Sequence, residues 1–187
     1  MPSLIEIVPP KPAWRTDFEA LKIAVMRAAP AGSRLHHIGS TAVPGLAAKD
    51  VIDMQLTVAD LDSVNDGALA AAGFARIPGV ADHCPPGLQL DGNELRKRFY
   101  FGESRAANLH IREAGRYNQR YALLCRDYLR SHPVAAAAYA LIKERLARRE
   151  PADAAAYYEI KDPVCDIIMA GAEEWALRTG WTEPPED

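Results

Sequence analysis

From Val51 to Val58 the chain reads Val-Ile-Asp-Met-Gln-Leu-Thr-Val, an alternation of apolar and polar residues with a period of two. Successive side chains of an extended strand point to opposite faces, so this run predicts a strand with one dry face and one wet face. Ile52, Met54, Leu56 and Val58 fall on the dry face, toward a core; Asp53, Gln55 and Thr57 fall on the wet one. Such a strand requires partner strands and a covering layer of helix.

The neighbouring sequence supplies both. Apolar residues at Trp14, Phe18, Leu21, Val25 and Ala28 have helical spacing, and Pro30-Ala31-Gly32 ends the helix. Arg34 to Ile38 reads as a short strand. Asp60 is placed to cap a helix running to Ala72 and stopping at Gly73. Pro78 to Asn93, rich in Gly, Pro and Asp, reads as a surface excursion. Two alternating segments follow: Phe99 and Phe101 oppose Arg98 and Tyr100, then Leu109 and Ile111 oppose Asn108, His110 and Arg112. Beyond Gly115 the pattern turns helical, over Tyr117–Arg130, Val134–Arg148 and Ala152–Arg178, with Pro163 as a kink in the last. The polar tail Thr182–Asp187 is expected to fray.

The predicted class is therefore α+β, a mixed β-sheet flanked by helices with a helical C-terminal portion. The expected organisation is an extension at residues 1–12, one domain at 13–178 (sheet-containing core 13–115, helices 116–178) and a tail at 179–187. With 187 residues, 49% hydrophobic and 25% charged, the chain has ordinary globular composition and can bury one substantial core. No apolar run of about 18 residues predicts a membrane helix. Met1-Pro2-Ser3-Leu4-Ile5-Glu6 lacks the basic-then-apolar pattern of a secretory signal. Cys84, Cys125 and Cys165 are odd in number and far apart, which suits reduced thiols and a cytoplasmic location.

Charge is unevenly spread. Arg96 to Arg149 holds thirteen basic and four acidic residues, +9, against −12 for the remainder. Two readings stay open, solvated helix faces or a basic surface gathered opposite an anion site.

The chemistry concentrates at His36-His37-Ile38-Gly39-Ser40, the loop to Lys49, and Asp53 on the strand beyond. Glycine after a strand lets the backbone bend sharply, and consecutive amides with the Ser40 hydroxyl can cradle an anion. An outward carboxylate on the next strand is placed to hold a divalent metal against phosphate oxygens. His36 and His37 point to opposite sides of their strand and cannot share one metal.

His37-Ile38-Gly39-Ser40-Thr41-Ala42-Val43-Pro44-Gly45-Leu46-Ala47-Ala48-Lys49, followed by Ile52-Asp53, resembles the signature of the GrpB family, of nucleotidyltransferase fold in the polymerase-beta-like superfamily. Asn108-Leu109-His110-Ile111, Arg126 through Pro133, Tyr139 through Lys143 and Tyr157 through Lys161 extend the resemblance over nearly the whole chain. The resemblance implies that Gly39 and Ser40 contact phosphates and that Asp53, with Gln55 beside it, lies at a Mg2+ position. Active transferases carry an Asp-x-Asp pair there and a third acid on a neighbouring strand; here the second position is Gln55, and Asn108, His110 and Arg112 stand where the third would be sought.

His110 is a candidate general base, metal ligand or phosphate donor, and a structural histidine equally. Arg98 suits bidentate clamping of an anion, and Lys49 ends the Gly-Ser loop within reach of a phosphate. Arg126 and Arg130, one helical turn apart, either bind phosphate or form a network with Asp127. Lys143 and Lys161 each follow a tyrosine at four residues (Tyr139, Tyr157), a spacing that suits a cleft wall. The expected ligand is a nucleotide or other phosphorylated small molecule with Mg2+, with nucleotidyl transfer to a small acceptor as the reaction. The alternative is a noncatalytic sensing or interaction module on a degenerate scaffold. In the wider family similar domains are fused to an enzyme of coenzyme A synthesis, which fits a helper role. Nucleic acid is not an expected partner, because the basic segment lacks interleaved exposed aromatics. No motif addresses the oligomeric state.

Overall fold

The computed structural model describes residues 4–187; the Met1-Pro2-Ser3 start of the N-terminal reading lies outside the described residues. Helix α1 (Ala13–Ala28) is followed by β1 (Arg34–Ile38), β2 (Ile52–Val58), α2 (Asp66–Ala71), β3 (Phe74–Arg76), β4 (Arg98–Gly102) and β5 (Ala107–Glu113). Helices α3 (Tyr117–Ser131), α4 (Pro133–Arg149) and α5 (Ala154–Thr179) close the chain. The five strands form one sheet in the order β1-β2-β5-β4-β3. Only the β2–β5 pair is parallel; the others are antiparallel. This is the mixed-sheet α+β architecture that the sequence predicts. Among the described residues no helix is long and apolar enough to cross a membrane.

The alternation of β2 is realised as read. Ile52, Met54 and Leu56 pack with Leu109, Ile111 and Tyr100 against Trp14, Phe18 and Val25 of α1. Side chains as large as Phe18, 1% exposed, each contribute roughly 3–5 kcal/mol against truncation to alanine. The opposite face lies partly under α3: Gln55 Nε2 donates to the Gln119 carbonyl at 2.9 Å, and Gln119 Nε2 to Thr57 Oγ1 at 3.5 Å.

Two local readings are corrected, and a strand that the sequence did not suggest is added. The segment after Asp60 is not one helix: Asp60 caps a short 3-10 turn, Leu61–Ser63, and the Asn65 side chain caps α2 separately. Strand β3, with only Phe74 buried, is too short to show a period. The tail does not fray. The Asp187 amide donates to the Leu35 carbonyl at 3.3 Å, its carboxylate accepts from the His37 amide at 2.9 Å and from Arg126 at 2.6 Å, and Glu183 pairs with Arg34 at 2.8 Å. The tail thereby covers the free edge of β1, whose unpaired backbone groups need partners.

Much of the charge asymmetry is taken up in ion pairs within the fold, while Arg145, Arg148 and Arg149 at the end of α4 stay outside them. Arginines of the basic segment pair largely with acids from outside it: Arg98 with Asp62 and Asp66, Arg105 with Asp17 and Asp50, Arg112 with Asp82, Arg120 with Glu173, and Arg126 with Asp187.

Asp50 ties several of these segments together. It accepts from Lys11 Nζ at 2.7 Å and Trp14 Nε1 at 2.8 Å and pairs with Arg105. The Lys11 and Trp14 hydrogen bonds and Arg105 hold its carboxyl down at about 2. A depressed carboxylate stabilises the fold above its unfolded value and loses that contribution as pH falls through the folded one. Asp50→Asn is therefore expected to lower the melting temperature by about 2–4 °C at pH 7, after discounting for solvent screening. The gap between variant and parent closes between roughly pH 4 and pH 2, as differential scanning calorimetry across that range reads directly.

Candidate functional site

Register decides what the wet face of the sheet presents. Asp53 lies opposite Asn108, Gln55 opposite His110 and Thr57 opposite Arg112 across the parallel pair. Asn108 Nδ2 donates to Asp53 Oδ1 at 2.8 Å. Where α3 does not cover this face, a cleft of about 520 Å³ opens between the sheet and helices α3–α5, lined by Gly39, Ser40, Lys49, Asp53, His110, Lys143 and Lys161 among others. That volume is within the range of small-molecule sites.

Gly39 turns the chain at φ +69°, and a Cβ there would stand 2.5 Å from Asp53 Oδ2. The turn and the carboxylate touch, which only glycine permits. Beyond it, Ser40 Oγ accepts from Lys143 Nζ at 2.8 Å, and the same ammonium also donates to the Ala47 carbonyl. Lys143 is 2% exposed. Burial first, then the neighbouring Lys161, pulls it down to about 7. Lys161 is held above its ordinary value, burial being outweighed by Cys165 and by Asp162 at 2.8 Å. Lys49 donates to the Tyr158 hydroxyl, and its Nζ lies 4.7 Å from that ring's centroid. Burial pushes the Asp53 carboxyl upward, against the pull of Asn108 and of Lys49, Lys161 and Lys143.

The expected site residues separate into two groups. Gly39, Ser40, Lys49, Asp53 and His110 converge on the cleft. Arg126 borders it, but its guanidinium is occupied by Asp127 at 2.8 Å, Asp187 at 2.6 Å and the His37 carbonyl at 3.0 Å, leaving a bracing role. Arg130 donates to the Ala42 carbonyl at 2.9 Å and so supports the loop rather than facing the cleft. Arg98 is displaced altogether. It pairs across the sheet with Ile111, on the core side, and reaches Asp62, Asp66 and the Val64 carbonyl. The aromatics Phe99 and Phe101 take the wet face in its place.

Gln55 is fully buried, its amide donated to Gln119 and its carbonyl oxygen accepting from Arg112 at 2.6 Å. It is therefore unable to ligate a metal from the cleft. No cluster of three His, Cys, Asp or Glu able to hold a metal ion exists among the described residues. Asp53 beside three lysines, with the cleft's other carboxylates, Asp82 and Asp162, paired with cations, does not fit the two-ion centre that the resemblance implies. Burial, and then Arg112 and Lys97, hold His110 well below its ordinary pKa, so its ring is neutral near pH 7.

Sequence reasoning underweighted Lys143 and Lys161, whose tyrosine at four residues' spacing was the available signal. It missed Asp82 entirely. That loop carboxylate enters the cleft and accepts from Lys97, Arg112 and Asn118.

The model of the GrpB family, described as GrpB protein, matches residues 4–170. The chain belongs to this family of α+β proteins. Among solved structures, the conserved protein GrpB from Enterococcus faecalis superposes with a TM-score of 0.75 at 26% identity, over 91% of this chain and 99% of that one. A dephospho-CoA kinase of Mycolicibacterium paratuberculosis is 33% identical over 195 residues, 95% of this chain and 48% of the relative. The UPF0157 protein PA4798 of Pseudomonas aeruginosa is 36% identical over 147 residues, 72% of this chain and 54% of the relative. The chain thus spans about half the length of curated relatives that it matches.

Gly39→Ala is expected to destabilise the protein by about 2–3 kcal/mol, combining the positive φ with the contact on Asp53. Denaturant titration of the variant checks this, alongside Gly45→Ala, whose added methyl meets open space and leaves only the φ cost.

Proposed function

We propose that the cleft binds a phosphorylated, nucleotide-like small molecule, its phosphates held by the Gly39-Ser40 turn, Lys143, Lys161 and Lys49. The observation that carries this reading is the convergence of three lysines and a serine hydroxyl on a half-buried hollow around Asp53, whose other carboxylates, Asp82 and Asp162, are already paired with cations. Lys49 and Lys161, joined by Lys143 once an arriving anion favours its charged form, attract an anion more strongly than surface lysines do, because screening is weaker away from bulk water. Tyr139, Tyr157 and Tyr158 line the same hollow, and Tyr158, 41% exposed, offers an aromatic surface to a base or sugar. The name dephospho-CoA kinase among the relatives supports a phosphorylated small molecule, although this chain corresponds to only about half of such a protein.

The same geometry favours a binding or sensing module over a two-metal nucleotidyltransferase. Gln55 is locked beneath α3, and the partner strand offers Asn108 and neutral His110 in place of a further acid. With Asp82 and Asp162 engaged by cations, Asp53 is the carboxylate placed to meet a Mg2+ ion carried in by the ligand's phosphates.

Calorimetric titration with ATP, CTP, GTP and UTP, with and without Mg2+, tests the reading when combined with a coupled assay for pyrophosphate. Binding without turnover is expected, weakened at least tenfold in Lys143→Ala. Absence of nucleotide binding overturns the proposal, and Mg2+-dependent turnover abolished in Asp53→Ala makes the protein a working transferase.

Lys143 adds a pH signature. A lysine held down to about 7 is largely neutral at pH 8, and an arriving phosphate favours its charged form. Binding is expected to take up a proton at pH 8, seen as a dependence of the calorimetric heat on buffer ionisation enthalpy. Affinity falls as pH rises from 7 to 9, and both effects vanish in Lys143→Met.

A further inference from the structure

The far end of the cleft is closed by the chain itself. Asp82 belongs to the segment between β3 and β4, whose regular structure is a short 3-10 turn at Gly92–Leu95. Its carboxylate accepts from Lys97 Nζ at 2.6 Å, from Arg112 Nε and Nη2 at 2.8 and 3.0 Å, and from Asn118 Nδ2 at 3.0 Å. Arg112 on β5 and Asn118 on α3 are fixed by the sheet and its helix layer, and Lys97 stands one residue before β4. The acceptor comes from irregular chain farther from any regular element. Withdrawing it leaves the donors converged.

Charge is unbalanced there. The Lys97 and Arg112 side chains are 5% and 6% exposed, and one carboxylate is in hydrogen-bond contact with both cations, Asp162 acting on Lys97 from a greater distance. Buried charge requires close compensation. His110 cannot supply any, because its ring is neutral or cationic and never negative. A phosphoryl dianion matches both cations and presents three oxygens to the same donors. The strap exposes Val80 and Leu88, at 37% and 45%; besides Asp82 it is held by His83 on Asp166 at 3.0 Å, by buried Pro85 and, at its far end, by Glu94 on the Tyr117 amide at 2.8 Å. Segments with few buried apolar contacts open at low free energy.

We propose that Lys97, Arg112 and Asn118 form a second anion subsite for a phosphoryl group, which Asp82 occupies as a built-in competitor until a ligand displaces it. Lys97 Nζ and Arg112 Nη2 each lie 3.5 Å from His110 Nδ1. The subsite therefore centres two residues, roughly 7 Å, along β5 from Asn108 and Asp53. That spacing suits a nucleoside with phosphoryl groups at two positions. The subsite rests on its own donors; only the placing of both phosphoryl groups on one ligand rests on the function proposed above.

Inorganic phosphate titrated into wild type, Asp82→Ala and Asp82→Ala/Lys97→Met separates the possibilities. Asp82→Ala is expected to bind phosphate at least tenfold more tightly than wild type, and the double variant to lose the gain. Unchanged or weaker binding by folded Asp82→Ala overturns the proposal and leaves Asp82 as an anchor. In wild type, adenosine 3′,5′-bisphosphate is expected to speed amide hydrogen exchange across residues 78–95, and AMP is not. Unchanged or slowed exchange with the bisphosphate overturns displacement, and this measurement decides alone should Asp82→Ala fail to fold. A phosphate gain in Asp82→Ala alongside no nucleotide binding by wild type retains the subsite and rejects the function proposed above.

Discussion

The parallel pairing of β2 with β5 is the constraint on which everything else depends. It sets Met54 beside Leu109 and Leu56 beside Ile111 on the face that α1 buries, and by the same register Asp53 beside Asn108 and Gln55 beside His110 on the other. Because side chains alternate, core and cleft cannot be adjusted independently: a slip of one residue would exchange them. The identity of residue 55 follows from this arrangement. It lies under α3 with the Gln119 carbonyl at hydrogen-bond distance, where an amide donates and a carboxylate would face one acceptor with another. The glutamine satisfies both the Gln119 carbonyl and Arg112 at this covered position, and it presents no metal ligand to the cleft.

Electrostatics in the cleft follow from how each charge is sheltered. Lys143 is buried with a hydroxyl and a carbonyl for company, so its charge is held loosely. Lys161 has a carboxylate beside it and keeps its proton firmly. Lys97 and Arg112 share Asp82, whose carboxyl burial would raise but which Arg112 and Lys97 hold well below the usual range. Two cationic pockets thus flank neutral His110 and half-buried Asp53, one open and one filled.

Local pattern made much of this legible. The bounds of β1 match the sequence reading, and β2 differs by one residue, because short alternating runs between strong turn residues leave little freedom. The Gly39-Ser40 turn and Asp53 meet as the spacing suggested. Strand β4 was read in the wrong phase: aromatic residues occupy both of its faces, and Tyr100, not the phenylalanines, is fully buried. That choice depends on pairing with β5 and is absent from the strand's own letters. Asp82 and the tail were illegible for a related reason. Their partners lie 30 and 150 residues away, at Arg112 and His37, and only the completed fold makes those contacts.

The mutual cancellation of the basic segment and the acidic remainder has a consequence for encounter. A fold that spends much of its charge on internal pairs projects little field into solvent, and at physiological ionic strength what remains decays within about 8 Å. An anionic ligand would then meet this surface by ordinary diffusion and sense attraction only at the mouth of the hollow. Capture would be slow to respond to added salt, while release, governed by sheltered lysines, would set how long the ligand stays.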